Sequence, residues 1–181
     1  LIFSIARYRE VMDAWLSGLE RRAASGGALS DVFSVASFFV SRVDSKVDAA
    51  IARALESPAT APAARAELES FRGQVAVANA RLAYAEFVAT AASSRFAALR
   101  ARGAHPQRPL WASTSTKNPA YPDTLYVDEL IGPDTVNTMP PQTLVAFNDH
   151  GRPAVTIGRD LDRARALFER LPQLGVPIDS L

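Results

Sequence analysis

The sequence predicts an α/β fold, a parallel sheet covered by helices, built as one domain over residues 1–181. Short apolar runs alternate with amphipathic helical patterns along the chain, giving about four strand-helix units. No sequence repeat of about 20 to 50 residues recurs along the chain, which disfavours a solenoid. Such units form either a small doubly wound sheet or half of a (β/α)8 barrel, and no strand-to-helix turn carries a glycine-rich fingerprint.

The first unit begins with Leu1-Ile2-Phe3, which has the pattern of a buried strand. The chain starts on this segment without methionine, so we expect it to be part of something longer. Ser4 stands at the N-cap position of an amphipathic helix that closes at Ser25-Gly26-Gly27.

The second unit begins with a run from Phe33 to Val40 that is apolar at most positions, and we predict a strand buried on both faces. A helix follows at once, with apolar residues at every fourth position, and ends in a linker over residues 57–62. Residues 64–99 predict two or three consecutive helices, interrupted at Gly73.

The remaining units are shorter. We predict strands at Leu110 to Ser113 and Thr135 to Met139, with a short helix at Leu125 to Leu130 between them. Helices are then predicted over residues 142–149 and 160–174.

Composition excludes several classes of function. The 20 Lys and Arg residues against 19 Asp and Glu give a net charge of +1, which provides no bulk field for nucleic acid or an anionic membrane. Cysteine is absent and only two histidines occur, which excludes a disulfide framework and disfavours a zinc site. No apolar run reaches the roughly 20 residues of a membrane span. We therefore expect a soluble protein without nucleic-acid or membrane partners, and the absence of cysteine is compatible with the cytoplasm, where we expect it.

Polar residues follow two of the predicted strands, where parallel α/β folds bind ligands. Ser37, Ser41 and Arg42 end one strand, and the run from Ser113 to Asn118, with Lys117, ends the next. Hydroxyl groups beside a cation are what a phosphate monoester requires. The alternative interpretation is ordinary loop composition with a surface salt bridge.

Other chemistry-bearing residues are weaker candidates. His105 and His150 lie in loops without an acid at useful spacing, so we expect them to be solvent-exposed. We interpret Asp128 as a first-turn or exposed helix carboxylate. Lys46 and Lys117 are the only lysines in the sequence, and neither position predicts the desolvation that activates an amine.

Eight ordered blocks of the sequence resemble the carboxyl-terminal half of bacterial transaldolases. They are LIFS (1–4), RY (7–8), SVASFFVSRVD (34–44), ANARLAY (78–84), QRPLWAST (107–114), KNP (117–119), YPDTLYV (121–127) and TVNTMP (135–140). The resemblance covers nearly the whole chain, and its blocks are long and specific.

Transaldolases are (β/α)8 barrels of the pentose phosphate pathway that transfer a dihydroxyacetone unit between sugar phosphates through a lysine Schiff base. The resemblance implies the second half of that barrel, with strands five to eight in this chain. It places Ser37 and Arg42 at the substrate phosphate, and Lys117 where many members carry an arginine for it. Phe39 matches an aromatic position in the pocket wall.

The same resemblance places the Schiff-base lysine before Leu1, so we expect no catalytic residue in this chain and no activity from it alone. It implies no cofactor and no metal. The expected partners are sugar phosphates and the amino-terminal half of the barrel, with self-association as a substitute for that half. A barrel half like this also occurs in proteins fused to a glucose-6-phosphate isomerase. A non-catalytic sugar-phosphate-binding half-barrel and a structural interaction module remain alternatives.

Overall fold

Three parallel strands form the sheet of the computed structural model, which describes residues 1–178. The strands are β1 (Val35–Phe39), β2 (Arg108–Ala112) and β3 (Val136–Asn137), hydrogen-bonded in the order β1-β2-β3. This order follows the chain without the reversal that creates the switch point of a doubly wound sheet. The predicted α/β class with a parallel sheet is confirmed.

The predicted first strand is reduced to one parallel bridge between Ile2 and Phe38. The Ile2 amide donates to the Ser37 carbonyl at 3.2 Å, and the Phe39 amide donates to the Ile2 carbonyl at 2.8 Å. The segment thus lies beside β1, but it is too short to form a ladder. Ser4 caps the helix that follows by accepting from the Arg7 amide, as predicted.

Eight helices are formed within residues 1–178. They are α1 (Ile5–Ala24), α2 (Ser41–Glu56), α3 (Pro62–Phe71), α4 (Val75–Ala91), α5 (Ser94–Arg100), α6 (Leu125–Asp128), α7 (Pro141–His150) and α8 (Leu161–Gln173). Three of them fill the region predicted to hold two or three, and Gly73, with a φ of +68°, separates α3 from α4. None of the helices in this described part is both long and apolar enough to cross a membrane.

The two faces of the sheet differ in burial. Ala36, Phe38 and Trp111 are buried, and the rings of Phe38 and Trp111 meet edge to face at 6.0 Å. On the opposite face Val35 is 40% exposed and Phe39 is only partly buried. The prediction that the strand from Phe33 to Val40 is buried on both faces is therefore wrong, because the packed core lies on one face of it.

Helix α4 forms the centre of the packing on the buried face. It contacts α1, α2, α8 and β2. Small side chains such as Ala76, Ala80 and Ala83 are buried on it, which lets neighbouring elements approach closely. On the same face, the buried ring of Tyr8 from α1 packs edge to face on the ring of Phe38, with 5.8 Å between the ring centroids.

The tertiary structure buries Asp128 and gives His150 acidic neighbours that the sequence spacing did not predict. Asp128 is 5% exposed, accepting from Thr124 Oγ1 at 2.8 Å and from the Arg152 amide at 2.7 Å. This carboxylate therefore ties α6 to the segment after α7. His150 is exposed as predicted, but its ring lies 2.9 Å from Asp123 and 3.0 Å from Asp149. The two acids hold its pKa above the ordinary value, with Asp123 the larger cause.

Candidate functional site

The ends of β1 and β2 are joined just where the predicted polar residues begin. The Ser41 amide donates to the Ser113 carbonyl at 3.1 Å, and the two hydroxyl oxygens lie 2.9 Å apart. Ser113 has a φ of +57°, a left-handed conformation that a serine adopts only when its surroundings enforce it. The bonds from Ser41 supply that constraint and fix the start of the loop over residues 113–124.

Arg42 is exposed and is the second residue of α2. Its guanidinium carbon lies 5.1 Å from the centroid of the Phe39 ring, and the Phe39 ring lies 5.3 Å from that of Phe3. Within the described residues Arg42 makes no hydrogen bond and no ion pair, so its donors remain available to a ligand. The aromatic ring holds the cation without neutralising it.

Ser37 lies two residues before Phe39, so both side chains belong to the same face of β1, the less buried one. Its hydroxyl makes no hydrogen bond to any described residue, whereas its carbonyl accepts from the Ile2 amide. Ser37 and Phe39 thus share one face of β1, and Arg42 lies over the Phe39 ring at the carboxyl end of that strand.

Lys117 lies in the neighbouring loop, exposed, and its ammonium group donates to Ser115 Oγ at 2.7 Å. No direct contact among residues 1–178 joins Lys117 to Arg42 or to Ser37. Sequence analysis did not single out Ser115 within the run from Ser113 to Asn118. Its position two residues before Lys117 was the signal that could have indicated this contact. The convergence of the three predicted residues on one phosphate stays a prediction.

A polar cavity of about 200 Å³ opens beside Lys117. Its lining combines side chains of α2 with side chains of the loop and of α6; they are Ser41, Asp44, Ser45, Asp48, Lys117, Asn118, Tyr121 and Tyr126. No group of His, Asp and Glu side chains in the described part of the chain has the arrangement of a metal site.

Asp44 forms the inner wall of this cavity and is 2% exposed. Tyr126 donates its hydroxyl to Asp44 at 2.6 Å, and the Ala76 amide donates to the other carboxylate oxygen at 2.7 Å. Burial raises the pKa of Asp44 to about 6, although both hydrogen bonds favour the charged form. Sequence reasoning missed this group, since the donors come from distant parts of the chain.

Asp48 repeats the arrangement one turn further along α2. Tyr121 donates its hydroxyl to Asp48 at 2.7 Å, and the Gly73 amide donates to the second oxygen at 3.2 Å. Burial, followed by the hydrogen bond to Asp48, raises the pKa of the Tyr121 hydroxyl, which therefore stays a donor at neutral pH.

The fold and the site together define an α/β protein whose exposed cations lie beyond the carboxyl ends of parallel strands. A family model described as Transaldolase/Fructose-6-phosphate aldolase matches residues 1–181. The chain belongs to this family.

Individual relatives agree with the family match. The chain is 53% identical over 177 residues to the transaldolase of Parafrankia sp. (strain EAN1pec), covering 97% of this chain and 46% of that protein. It is 50% identical to the transaldolase of Frankia alni and 45% identical to that of Trichodesmium erythraeum, covering all of this chain and 47% and 48% of those proteins. The chain thus spans about half the length of these relatives.

Proposed function

We propose that this chain is the phosphate-binding part of a transaldolase, built as the second half of a (β/α)8 barrel. The whole protein would transfer a dihydroxyacetone unit from a ketose phosphate to an aldose phosphate through a lysine Schiff base, in the pentose phosphate pathway of the cytoplasm. The family suggests this reaction, and the candidate phosphate site lies in residues 37–42 and 113–118. The strands lie in chain order, as in a barrel wall, and helices cover one face of them, which supports half of a barrel because the side chains of the other half would cover the second face.

The observation that carries the proposed site is Arg42, an exposed guanidinium held over Phe39 with no acidic partner among the described residues. A surface salt bridge was part of the alternative interpretation, and Arg42 forms none within residues 1–178. Arg42 and Lys117 would supply charge to the phosphate. Ser37, and also Ser115, would supply hydroxyl groups.

Calorimetric titration of the chain with fructose 6-phosphate, with fructose as the matched ligand, tests the site. We expect fructose 6-phosphate to bind and fructose not to bind, since the recognised group is the phosphate. Equal binding of the two, or binding of neither, would contradict the proposal.

The reaction itself requires a Schiff-base lysine, which the family resemblance places before Leu1, and Lys117 is assigned to the phosphate. Borohydride reduction in the presence of fructose 6-phosphate should leave Lys46 and Lys117 unmodified, as peptide mass mapping would show. A sugar adduct on Lys117 would reverse its assignment and make it the nucleophile. Transaldolase assays on the chain alone should likewise give no turnover.

A further inference from the structure

The loop over residues 113–124 carries Lys117, and its internal hydrogen bonds shape it without anchoring it. Thr116 Oγ1 donates to the Pro122 carbonyl at 2.8 Å, and Asn118 accepts from the amides of Ala120 and Tyr121. Both partners of each bond lie inside the loop. These bonds therefore set its local conformation but not its position on the protein.

Between the start of the loop at Ser113 and Thr114 and its end at Thr124, two side chains fasten it to other helices within residues 1–178. Asp123 lies 2.9 Å from the His150 ring at the end of α7, and Tyr121 donates its hydroxyl to Asp48 on α2, the helix that carries Arg42. The ring of Tyr121 also lies against Gly73, where an added Cβ would fall 2.8 Å from the ring. Gly73 in turn donates its amide to the same Asp48 carboxylate. The Tyr121 side chain is thus seated in a place formed by α2 and the turn between α3 and α4.

Asp48 and Arg42 belong to the same helix, α2. The hydrogen bond to Tyr121 consequently ties the loop that carries one cation to the helix that carries the other. We propose that Asp48 and Tyr121 are positioning residues, which hold Lys117 at a fixed place relative to Arg42. This inference rests on the proposed function for its purpose, but the tie itself can be tested without any ligand.

A tie of this kind acts through preorganisation. A phosphate that needs cations from two elements must otherwise restrict the loop as it binds, and that lost freedom weakens binding. Removal of the tie should therefore weaken phosphate binding while the two cations remain present.

Two variants remove the bond, Tyr121→Phe and Asp48→Ala, and Tyr84→Phe is the matched control because its hydroxyl donates to the Pro133 carbonyl elsewhere. We expect the dissociation constant for fructose 6-phosphate to rise about tenfold in either variant and to stay unchanged in the control. The double variant should bind no more weakly than either single one, since both act through one bond. Additive losses would overturn the pairing.

The lysine content of the chain provides a second readout. Lys46, within α2, and Lys117 are its only lysines, so a lysine-specific protease has two cleavage sites. We expect Tyr121→Phe to speed native-state cleavage after Lys117 severalfold, with cleavage after Lys46 unchanged. Equal acceleration at both sites, or none at Lys117, would overturn the positioning role.

The two experiments separate this inference from the proposed function. If wild-type chain fails to bind fructose 6-phosphate, the proposed function fails, and the proposed purpose of the tie fails with it. If wild-type chain binds and Arg42→Gln does not, but Tyr121→Phe binds normally, the proposed function stands and the positioning role is overturned.

Discussion

The guanidinium of Arg42 lies over the ring of Phe39 at 5.1 Å, with one residue at the end of β1 and the other at the start of α2. Strand and helix are separated by Val40 alone, so the pair holds the cation close to the carboxyl end of the sheet. The first prediction concerns this pair.

Arg42→Gln should weaken binding of fructose 6-phosphate by about 10- to 100-fold, because a charge-assisted hydrogen bond contributes about 1.5–3 kcal/mol. Arg53→Gln is the control, since Arg53 is an exposed arginine later in the same helix. In an active protein that contains this chain, KM should rise more than kcat falls, because the phosphate is bound equally in ground and transition states. Unchanged affinity in Arg42→Gln, measured by calorimetry, would contradict the assignment.

The second prediction concerns the pH dependence of stability. Burial raises the pKa of Asp44 to about 6, against 3.8 for an ordinary aspartate. The folded chain therefore holds this proton more tightly than the unfolded chain. The free energy of unfolding should fall by about 3 kcal/mol as the pH rises between those two values, and remain lower above pH 6.

Asp44→Asn should lose this part of the pH dependence, because its amide does not titrate. Urea unfolding of both proteins between about pH 4 and pH 7 measures the difference. Asp162→Asn, at a side chain that is fully exposed, is the control and should follow the wild type. Parallel curves for Asp44→Asn and the wild type would contradict the raised pKa.

The third prediction compares two glycines with opposite surroundings. A Cβ at Gly132 would lie 2.1 Å from Ile157 Cγ2, and Ile157 is fully buried. Gly132→Ala should therefore cost about 1–3 kcal/mol of stability through overpacking. A Cβ at Gly18, inside α1, would meet nothing within 4 Å, so Gly18→Ala should stabilise the protein by about 0.5–1 kcal/mol. Thermal unfolding of the two variants should give shifts of opposite sign.

The fourth prediction is that the isolated chain self-associates. Several large apolar side chains are exposed, including Phe33 at 72% and Val145 at 68%. The less buried face of β1 adds Val35 to them. Burial of such surface at about 25 cal/mol per Å² favours association. Sedimentation velocity should show species larger than a monomer, and a single monomeric species at all concentrations would refute the prediction.

The sequence predicts the elements better than their environments. The apolar spacing that predicts α8, and Gly73 between α3 and α4, are local signals, and the structure confirms both. The strand from Phe33 to Val40 was assigned two buried faces because its residues are apolar. Which face receives a helix depends on where α1 and α4 pack, and a local apolar run carries no information about this.

The buried aspartates also show that local sequence patterns do not reveal tertiary contacts. Asp44 and Tyr126 form their hydrogen bond across 82 residues, so no pattern within either segment indicates the pair. Asp128 is a first-turn helix acid by spacing, as predicted, but contacts from Thr124 and the Arg152 amide bury it. The positions of Arg42 after a strand and of Lys117 in a loop were predictable from local signals, and their phosphate-binding role stays a prediction. The hydroxyl and carboxylate contacts around them were not predictable from such signals.

The carboxylates of Asp44 and Asp48 on α2 also make motion between helices measurable by hydrogen exchange. The Gly73 amide donates to Asp48, and the Ala76 amide donates to Asp44. Both acceptors are side chains of α2. An amide inside a helix exchanges its hydrogen when its own turn opens, whereas these two exchange when the contact between α2 and the segment over residues 73–76 opens. Their exchange rates therefore report the opening of this contact between α2 and its neighbour, which the amides bonded within either helix do not report.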